Sequence, residues 1–183
     1  MASLAERAAR WRVPLHFLLA ALLLVLARPA PRLLTGGAAL VLAGLVVRAW
    51  AAGHLRKDEP LTVSGPYAHV RHPLYAGTLL MLVGFGVASN SALMAVLIAA
   101  YFPVFFLPAM RREERERLVR APELYPAYTA SVPMLWPRLR PARFGAESQK
   151  HFDARTYLAN REWRAAVSCA LLLGGLYARM VLR

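Results

Sequence analysis

Five long apolar segments constrain this chain more than any other feature of its sequence. They cover residues 13–27, 33–52, 73–88, 92–110 and 165–182. A membrane-spanning helix needs about 20 mainly apolar residues, with a range of roughly 17–25, so the first and third segments are short for this role. We therefore predict an all-α, polytopic membrane helix bundle of about five transmembrane helices, with residues 1–183 forming a single membrane-embedded domain.

Composition and charge support this class and exclude others. The chain is 58% hydrophobic and has 23 Lys and Arg against 10 Asp and Glu, a formal charge of +13. Soluble domains are about 45–50% apolar, and disordered chains are less apolar still. A nucleic-acid-binding protein could be as basic but has no need of long uncharged segments, so we expect no nucleic-acid partner. The single cysteine, Cys169, forms no disulfide framework, and no Cys/His spacing predicts a metal site.

The order of the segments predicts the topology. Only residues 89–91 separate the third and fourth segments, which must form a tight helical hairpin. With five spans, 19 of the 23 basic residues fall on the side of the N-terminus and four on the other side. The positive-inside rule then predicts a cytoplasmic N-terminus and a periplasmic or lumenal C-terminus. Because the composition, rich in Ala, Leu and Arg, favours a bacterium, we expect an integral protein of a bacterial inner membrane with its C-terminus in the periplasm. The N-terminus also resembles a signal peptide, but we expect an uncleaved anchor, because four more apolar segments follow.

Polar chemistry is concentrated in two clusters at the open end of this hairpin. Residues 53–75 lead into the third helix, and residues 111–128 follow the fourth. The topology brings both clusters to one membrane face, where we expect a polar pocket in which a charged ligand meets a lipid-borne one. Two alternatives need no pocket. Arg71 and His72 could be interfacial anchors, and the run from Glu113 to Arg117 could be a solvated helix face, since these two residues form an ordinary i,i+4 pair.

The residues of these clusters also match a known pattern. Residues 64–77 read Ser-Gly-Pro-Tyr-Ala-His-Val-Arg-His-Pro-Leu-Tyr-Ala-Gly. After the hairpin follow Glu113-Glu114, Tyr125, Tyr128 and Val132-Pro133. This pattern resembles the isoprenylcysteine carboxyl methyltransferase family, one of a group of integral-membrane methyltransferases that includes phospholipid N-methyltransferases. The likeness covers about residues 48–137 and leaves 138–183 as a C-terminal extension with the last membrane helix.

The resemblance implies an S-adenosylmethionine site at the cytoplasmic face, carried by the hairpin. Glutamate suits the ammonium group of such a cofactor, and tyrosine rings suit its adenine and its sulfonium. For Gly84 and Gly86, which match a cofactor motif, the alternative is close helix packing, because small residues in membrane helices often allow it. The positions that match cofactor contacts are Leu61, Thr62, Tyr67, Arg71, His72, Pro73, Leu74, Tyr75, Gly84, Gly86 and Glu113.

The same resemblance implies an S-adenosylmethionine-dependent methyltransferase that acts on a lipophilic, membrane-borne acceptor, by way of a carboxylate, an amine or a thiol. An amine must lose a proton, and Glu114 and His54 are the candidate bases. The family's basic residue before the glutamate pair is replaced by Ala109, so Arg111 or Arg112 is the candidate to hold a substrate carboxylate. The alternatives are an NADPH-dependent membrane reductase of the sterol-reductase type and a non-catalytic scaffold or lipid-binding subunit. Oligomeric state is not readable from the sequence.

Overall fold

The computed structural model describes residues 4–56, 59–145, 148 and 150–182, and this part of the chain contains helices but no strands. A short 3-10 helix, Gly65–Ala68, precedes the third α-helix. The all-α prediction is therefore confirmed. The α-helices are α1 (Leu4–Leu26), α2 (Pro31–His54), α3 (Pro73–Ser89), α4 (Ala92–Arg120), α5 (Leu124–Ser131), α6 (Ala154–Ala159) and α7 (Trp163–Val181).

All five predicted apolar segments are helical, and the protein has the features of an integral membrane protein. Helices α2, α4 and α7 are long and apolar enough to cross a membrane. The apolar part of α1, Pro14–Leu26, and the whole of α3 are shorter. Large apolar side chains point outward along the bundle, among them Phe17, Val96 and Leu171, with 71%, 65% and 72% of their surface exposed.

Two helices extend well beyond the apolar segments that predicted them. Helix α1 begins at Leu4 rather than at residue 13, and α4 continues past residue 110 to Arg120. An apolar pattern marks the part of a helix that meets lipid or core and does not mark its ends. Arginine and glutamate are good helix formers, so the charged run after residue 110 continues α4 for almost three turns.

Backbone contacts show which helix ends lie together. The amide N–H of Arg28 donates to the carbonyl of Ser89 at 2.8 Å, and the side-chain amide of Asn90 donates to the carbonyl of Arg28 at 3.1 Å. Arg179, near the end of α7, donates to the carbonyl of Ala27 at 2.7 Å. The α1–α2 turn, the α3–α4 turn and the end of α7 therefore share one end of the bundle. The opposite end, the site end, holds the end of α2, the start of α3 and the charged part of α4.

Helices α2 and α3 pack most closely, through two pairs of glycines. A Cβ at Gly37 would lie 2.4 Å from the carbonyl oxygen of Gly84, and one at Gly44 would lie 2.5 Å from that of Gly77. Both distances are too short for any side chain. Small residues at such positions let membrane helices approach backbone to backbone.

A second packed layer covers the site end. The buried hydroxyl of Tyr128, on α5, donates to the carbonyl of Tyr67 at 2.8 Å. The amide N–H groups of Arg71 and His72 donate to the carbonyls of Pro133 and Met134 at 2.9 and 3.2 Å. The backbone that leads into α3 is thereby held on both sides, and the Tyr-x-x-Tyr and Val-Pro pattern of the sequence has a structural role.

Candidate active site

A cluster of polar side chains joins the start of α3 to the charged part of α4. His72 is the residue before α3, and its Nε2 lies 3.3 Å from a carboxylate oxygen of Glu114. Its Nδ1 lies 3.8 Å from a carboxylate oxygen of Glu113. One turn into α3, the hydroxyl of Tyr75 donates to Glu113. The hairpin thus brings the two predicted clusters into direct contact.

Two arginines balance the charge of the two glutamates. Arg71 lies 3.3 Å from Glu114, and Arg117 lies 3.5 Å from Glu113. Arg117 also donates to the carbonyl of Arg71 at 3.2 Å, which ties α4 to the segment before α3. The cluster presents both signs of charge within a few ångströms, so it suits a ligand group that itself carries both signs.

His72 is a neutral residue at the centre of this cluster. Burial, together with the charges of Arg117 and Arg71, lowers the pKa of His72 to about 3. Its side chain is fully buried, and among the described residues its Nδ1 has no hydrogen-bond partner. A buried ring nitrogen without a partner is costly, so this atom is suited to a hydrogen bond with a bound ligand.

Two neighbouring cavities open beside the cluster. The inner polar cavity has a volume of about 300 Å³, and the outer polar cavity has about 320 Å³. Tyr67, Glu113 and Arg117 line both, so the two cavities are direct neighbours. The predicted cofactor residues His72, Pro73, Leu74 and Tyr75 line the inner cavity, and Leu61 and Thr62 line the outer one.

The other predicted cofactor positions lie elsewhere. Arg71 contacts Glu114 behind the cavities. Gly84 lies twelve residues beyond His72, about 18 Å along α3, where it packs against Gly37 of α2. A Cβ at Gly86 would meet Ile98 at 3.6 Å, an ordinary contact. The structure does not bring these two glycines to the cluster.

Of the four predicted catalytic residues, only Glu114 touches the cluster, where it holds Arg71 and His72. Arg111 is exposed, and Arg112 pairs with Glu116 at 3.5 Å on the outer face of α4. His54 is buried, with its Nδ1 2.9 Å from the carbonyl of Trp50. None of the four lines either polar cavity as the described residues form them.

Sequence reasoning missed an ion pair at the edge of the inner polar cavity. Arg48 donates to the carboxylate of Glu162 at 2.7–2.9 Å, to the hydroxyl of Thr78 at 2.6 Å and to the carbonyl of Leu74 at 3.1 Å. A charged residue inside an apolar segment is a signal for a functional position, and Arg48 carried it. Glu162 has no comparable signal in the sequence, because it lies in the C-terminal extension, 114 residues after Arg48.

Among curated proteins, two relatives stand out. The chain is 35% identical over 136 residues to the cobalt-zinc-cadmium resistance protein CzcN of Cupriavidus metallidurans. This aligned region covers 70% of this chain and 62% of that protein. It is also 35% identical over 109 residues to the nickel-cobalt-cadmium resistance protein NccN of Alcaligenes xylosoxydans xylosoxydans. This second aligned region covers 58% of this chain and 51% of that protein. The matches thus span less than two thirds of either relative. No solved structure matches the chain significantly.

A family model matches the part of the chain that builds the site. The phospholipid methyltransferase family matches residues 33–121, which run from α2 through the hairpin to the end of α4. This segment contains His72, Tyr75, Glu113 and Arg117 together with both glycine pairs. The match confirms the likeness that the sequence motifs indicate: residues 33–121 match the model of the phospholipid methyltransferase family, a family of integral-membrane methyltransferases.

Proposed function

We propose that this protein is an S-adenosylmethionine-dependent methyltransferase that acts on a lipophilic, membrane-borne acceptor. The observation that carries the proposal is the charge-balanced cluster of His72, Glu113 and Arg117, which lines the inner polar cavity within the segment that matches a methyltransferase family.

The residues of the two polar cavities fit such a cofactor. S-adenosylmethionine, when bound, supplies a methyl group on a sulfonium, together with an adenosine and an amino-acid end of both charges. Glu113 is suited to the ammonium group and Arg117 to the carboxylate. The unpartnered Nδ1 of His72 offers one more hydrogen bond. The rings of Tyr67 and Tyr75 line the inner polar cavity and are suited to adenine or to the sulfonium.

The residues around the cavities favour an acceptor that needs no base. Glu114 is held by Arg71 and His72, and His54 packs between Trp50 and Phe152. The low pKa of His72 makes its imidazole a weak base. A carboxylate or a thiolate arrives already ionised and reacts by in-line displacement, for which positioning supplies most of the catalysis. The names of the two relatives state a resistance to metals and not a reaction, so they leave the acceptor open.

Calorimetric binding of S-adenosylmethionine to the detergent-purified full chain tests the cofactor. We expect micromolar binding by the wild type and a loss of at least tenfold in Glu113→Gln, with folding checked by thermal melting. The matched control is Glu123→Gln, because Glu123 is exposed on the far side of the α4–α5 turn and lines neither polar cavity. A folded wild type that binds NADPH instead would favour the reductase alternative. Binding of neither cofactor would overturn the proposal.

We further propose that the site end faces the cytoplasm of a bacterium, where such a cofactor is made. The support is the excess of basic residues on the side of the N-terminus, 19 of 23. Alkaline phosphatase fused to the C-terminus is then expected to be active, since it would lie in the periplasm. The same enzyme fused within the loop after α5 is expected to be inactive. The reverse pattern would contradict this orientation.

A further inference from the structure

A third cavity lies within the helix bundle itself. It has a volume of about 260 Å³ and lies between α1, α3, α4 and α7. We call it the apolar chamber, because carbon-rich side chains make most of its wall. These include Leu19, Leu23, Phe85, Ile98, Cys169 and Leu172.

The apolar chamber adjoins the candidate cofactor site. Arg48, Thr78 and Phe106 line both the apolar chamber and the inner polar cavity. A molecule that lies in the chamber therefore has one end beside the cluster of His72 and Glu113. The three cavities are neighbours in a row, from the outer polar cavity through the inner polar cavity to the apolar chamber.

Arg48 does not leave an unpaired charge at this junction. Each nitrogen of its guanidinium already donates a hydrogen bond, to Glu162, Thr78 or the carbonyl of Leu74. The side chains of Arg48 and Glu162 are only 20% and 15% exposed. A paired and fully bonded cation can form part of an apolar wall, because its cost of burial is already offset. Apart from Arg48, the polar side chains of the wall are His16, Thr78 and Ser168, and the remaining apolar wall is suited to an uncharged group.

Helix α7 supplies one whole side of the chamber. Its contributing residues are Ala165, Ser168, Cys169 and Leu172, spaced as one face of a helix. Val167 and Leu171, on other faces, are 49% and 72% exposed. Helices α1 and α7 both lie outside the matched segment 33–121, so the walls that they build are not covered by the family match.

Resting on the proposed methyltransferase function, we infer that the apolar chamber binds the apolar part of the acceptor and limits it to one short chain or one small ring. Its volume lies just below the roughly 300–1,000 Å³ of sites that enclose drug-sized ligands. Two acyl chains, each long enough to cross half of a hydrocarbon core about 30 Å thick, do not fit inside it. The chamber therefore holds one chain of the acceptor, which favours a single-chain molecule over a diacyl phospholipid, in spite of the name of the matching family.

Photolabelling of the full chain in detergent tests this inference. The first probe is a ten-carbon alcohol with a diazirine at its chain end, and the second is a phosphatidylcholine with the same diazirine on one acyl chain. We expect the alcohol to label chamber residues of α7, such as Cys169, and excess unlabelled decanol to suppress this label. We expect the phospholipid to label only outward residues such as Leu171. Equal labelling of chamber residues by both probes would overturn the inference.

Two variants on neighbouring residues of α7 provide a matched comparison. Ala165→Phe fills the chamber and is expected to reduce its labelling by the alcohol at least fivefold. Ala166→Phe adds the same group on the exposed face and is expected to leave labelling unchanged. If Ala165→Phe does not fold, Leu172→Phe replaces it. Unchanged labelling in a folded chamber variant would also overturn the inference.

Cofactor binding separates the two proposals. Ala165→Phe is expected to bind S-adenosylmethionine with wild-type affinity, since Ala165 lines neither polar cavity. A wild type that accepts the alcohol in the chamber but binds no S-adenosylmethionine refutes the methyltransferase function alone. A wild type that binds S-adenosylmethionine and admits the diacyl probe to the chamber refutes the size limit alone.

Discussion

At the scale of single residues, the buried imidazole of His72 couples stability to pH. Its pKa is about 3 in the folded protein, while an unfolded histidine titrates near 6.5. Between these values the unfolded chain binds a proton that the folded chain does not, so stability falls as the pH falls below about 6.5. At 1.36 kcal/mol per pH unit, the loss by pH 5 is about 2 kcal/mol.

Melting curves in detergent at pH 8, 6.5 and 5 check this prediction against two variants. His72→Gln removes the titrating group, so its stability is expected to change less with pH than that of the wild type. His151→Gln changes an exposed histidine and is expected to follow the wild type. Parallel pH profiles for the wild type and His72→Gln would show that His72 is not held neutral.

The hydroxyl of Tyr128 gives a second residue-scale prediction. It is buried, burial raises its pKa, and it donates to the carbonyl of Tyr67, a residue that lines both polar cavities. Tyr128→Phe leaves that carbonyl without its partner, which costs about 1–3 kcal/mol. We expect a lower melting temperature, whereas Tyr177→Phe, on an exposed residue of α7, is expected to have no effect. Equal melting temperatures for both variants would argue against a structural role of this bond.

At the scale of elements, the close contact of α2 and α3 depends on individual glycines. A Cβ at Gly84 would lie 2.6 Å from the carbonyl of Gly37, so Gly84→Ala must push the two helices apart. A Cβ at Gly86 meets only Ile98 at 3.6 Å, and alanine favours a helix over glycine by about 0.5–1 kcal/mol. We expect Gly84→Ala to lower the melting temperature and Gly86→Ala to leave it unchanged or raise it.

The same pair of variants tests the alternative that these glycines form a cofactor motif. In that case Gly86→Ala would weaken S-adenosylmethionine binding without loss of stability. If they serve packing, Gly86→Ala binds the cofactor as the wild type does. The comparison requires both a melting curve and a calorimetric titration for each variant.

At the scale of the whole molecule, the parts that sequence could predict are those with a one-dimensional signal. Apolar length predicts the five helices, and a three-residue gap predicts the hairpin that brings His72 to Glu113. Contacts between distant segments have no such signal. The bonds of Arg48 to Glu162, and of Tyr128 to Tyr67, depend on how helices pack, which periodicity does not specify. The apolar chamber was missed for the same reason, because it needs α1 and α7 in place.

Several contacts tie the C-terminal extension to the matched core, among them the Arg48–Glu162 ion pair, Phe152 against Gly53 and the bond of Asn160 to the carbonyl of Ala52. Removal of one partner of a largely buried pair costs about 3–5 kcal/mol, because the other charge is left without compensation. We expect Glu162→Ala to lose about 3 kcal/mol of stability. Glu116→Ala breaks the exposed pair with Arg112, 53% exposed on both sides, and is expected to lose less than about 1 kcal/mol.

A double substitution shows whether the loss comes from the uncompensated charge of Arg48 or whether the bonds from Arg48 to α3 carry the stability. Apolar side chains of similar volume can replace a buried ion pair at little cost, since neither charge then has to be desolvated. If the cost of Glu162→Ala lies in the stranded guanidinium of Arg48, the double variant Arg48→Met, Glu162→Met recovers most of the lost stability in a melting curve. If the bonds from Arg48 to Thr78 and Leu74 carry the stability, the double variant melts lower than Glu162→Ala, because Glu162→Ala keeps those two bonds and the double variant loses them. In the first case the ion pair is an attachment that another contact can replace, and in the second Arg48 itself orders the first turn of α3, on which His72 and Tyr75 depend.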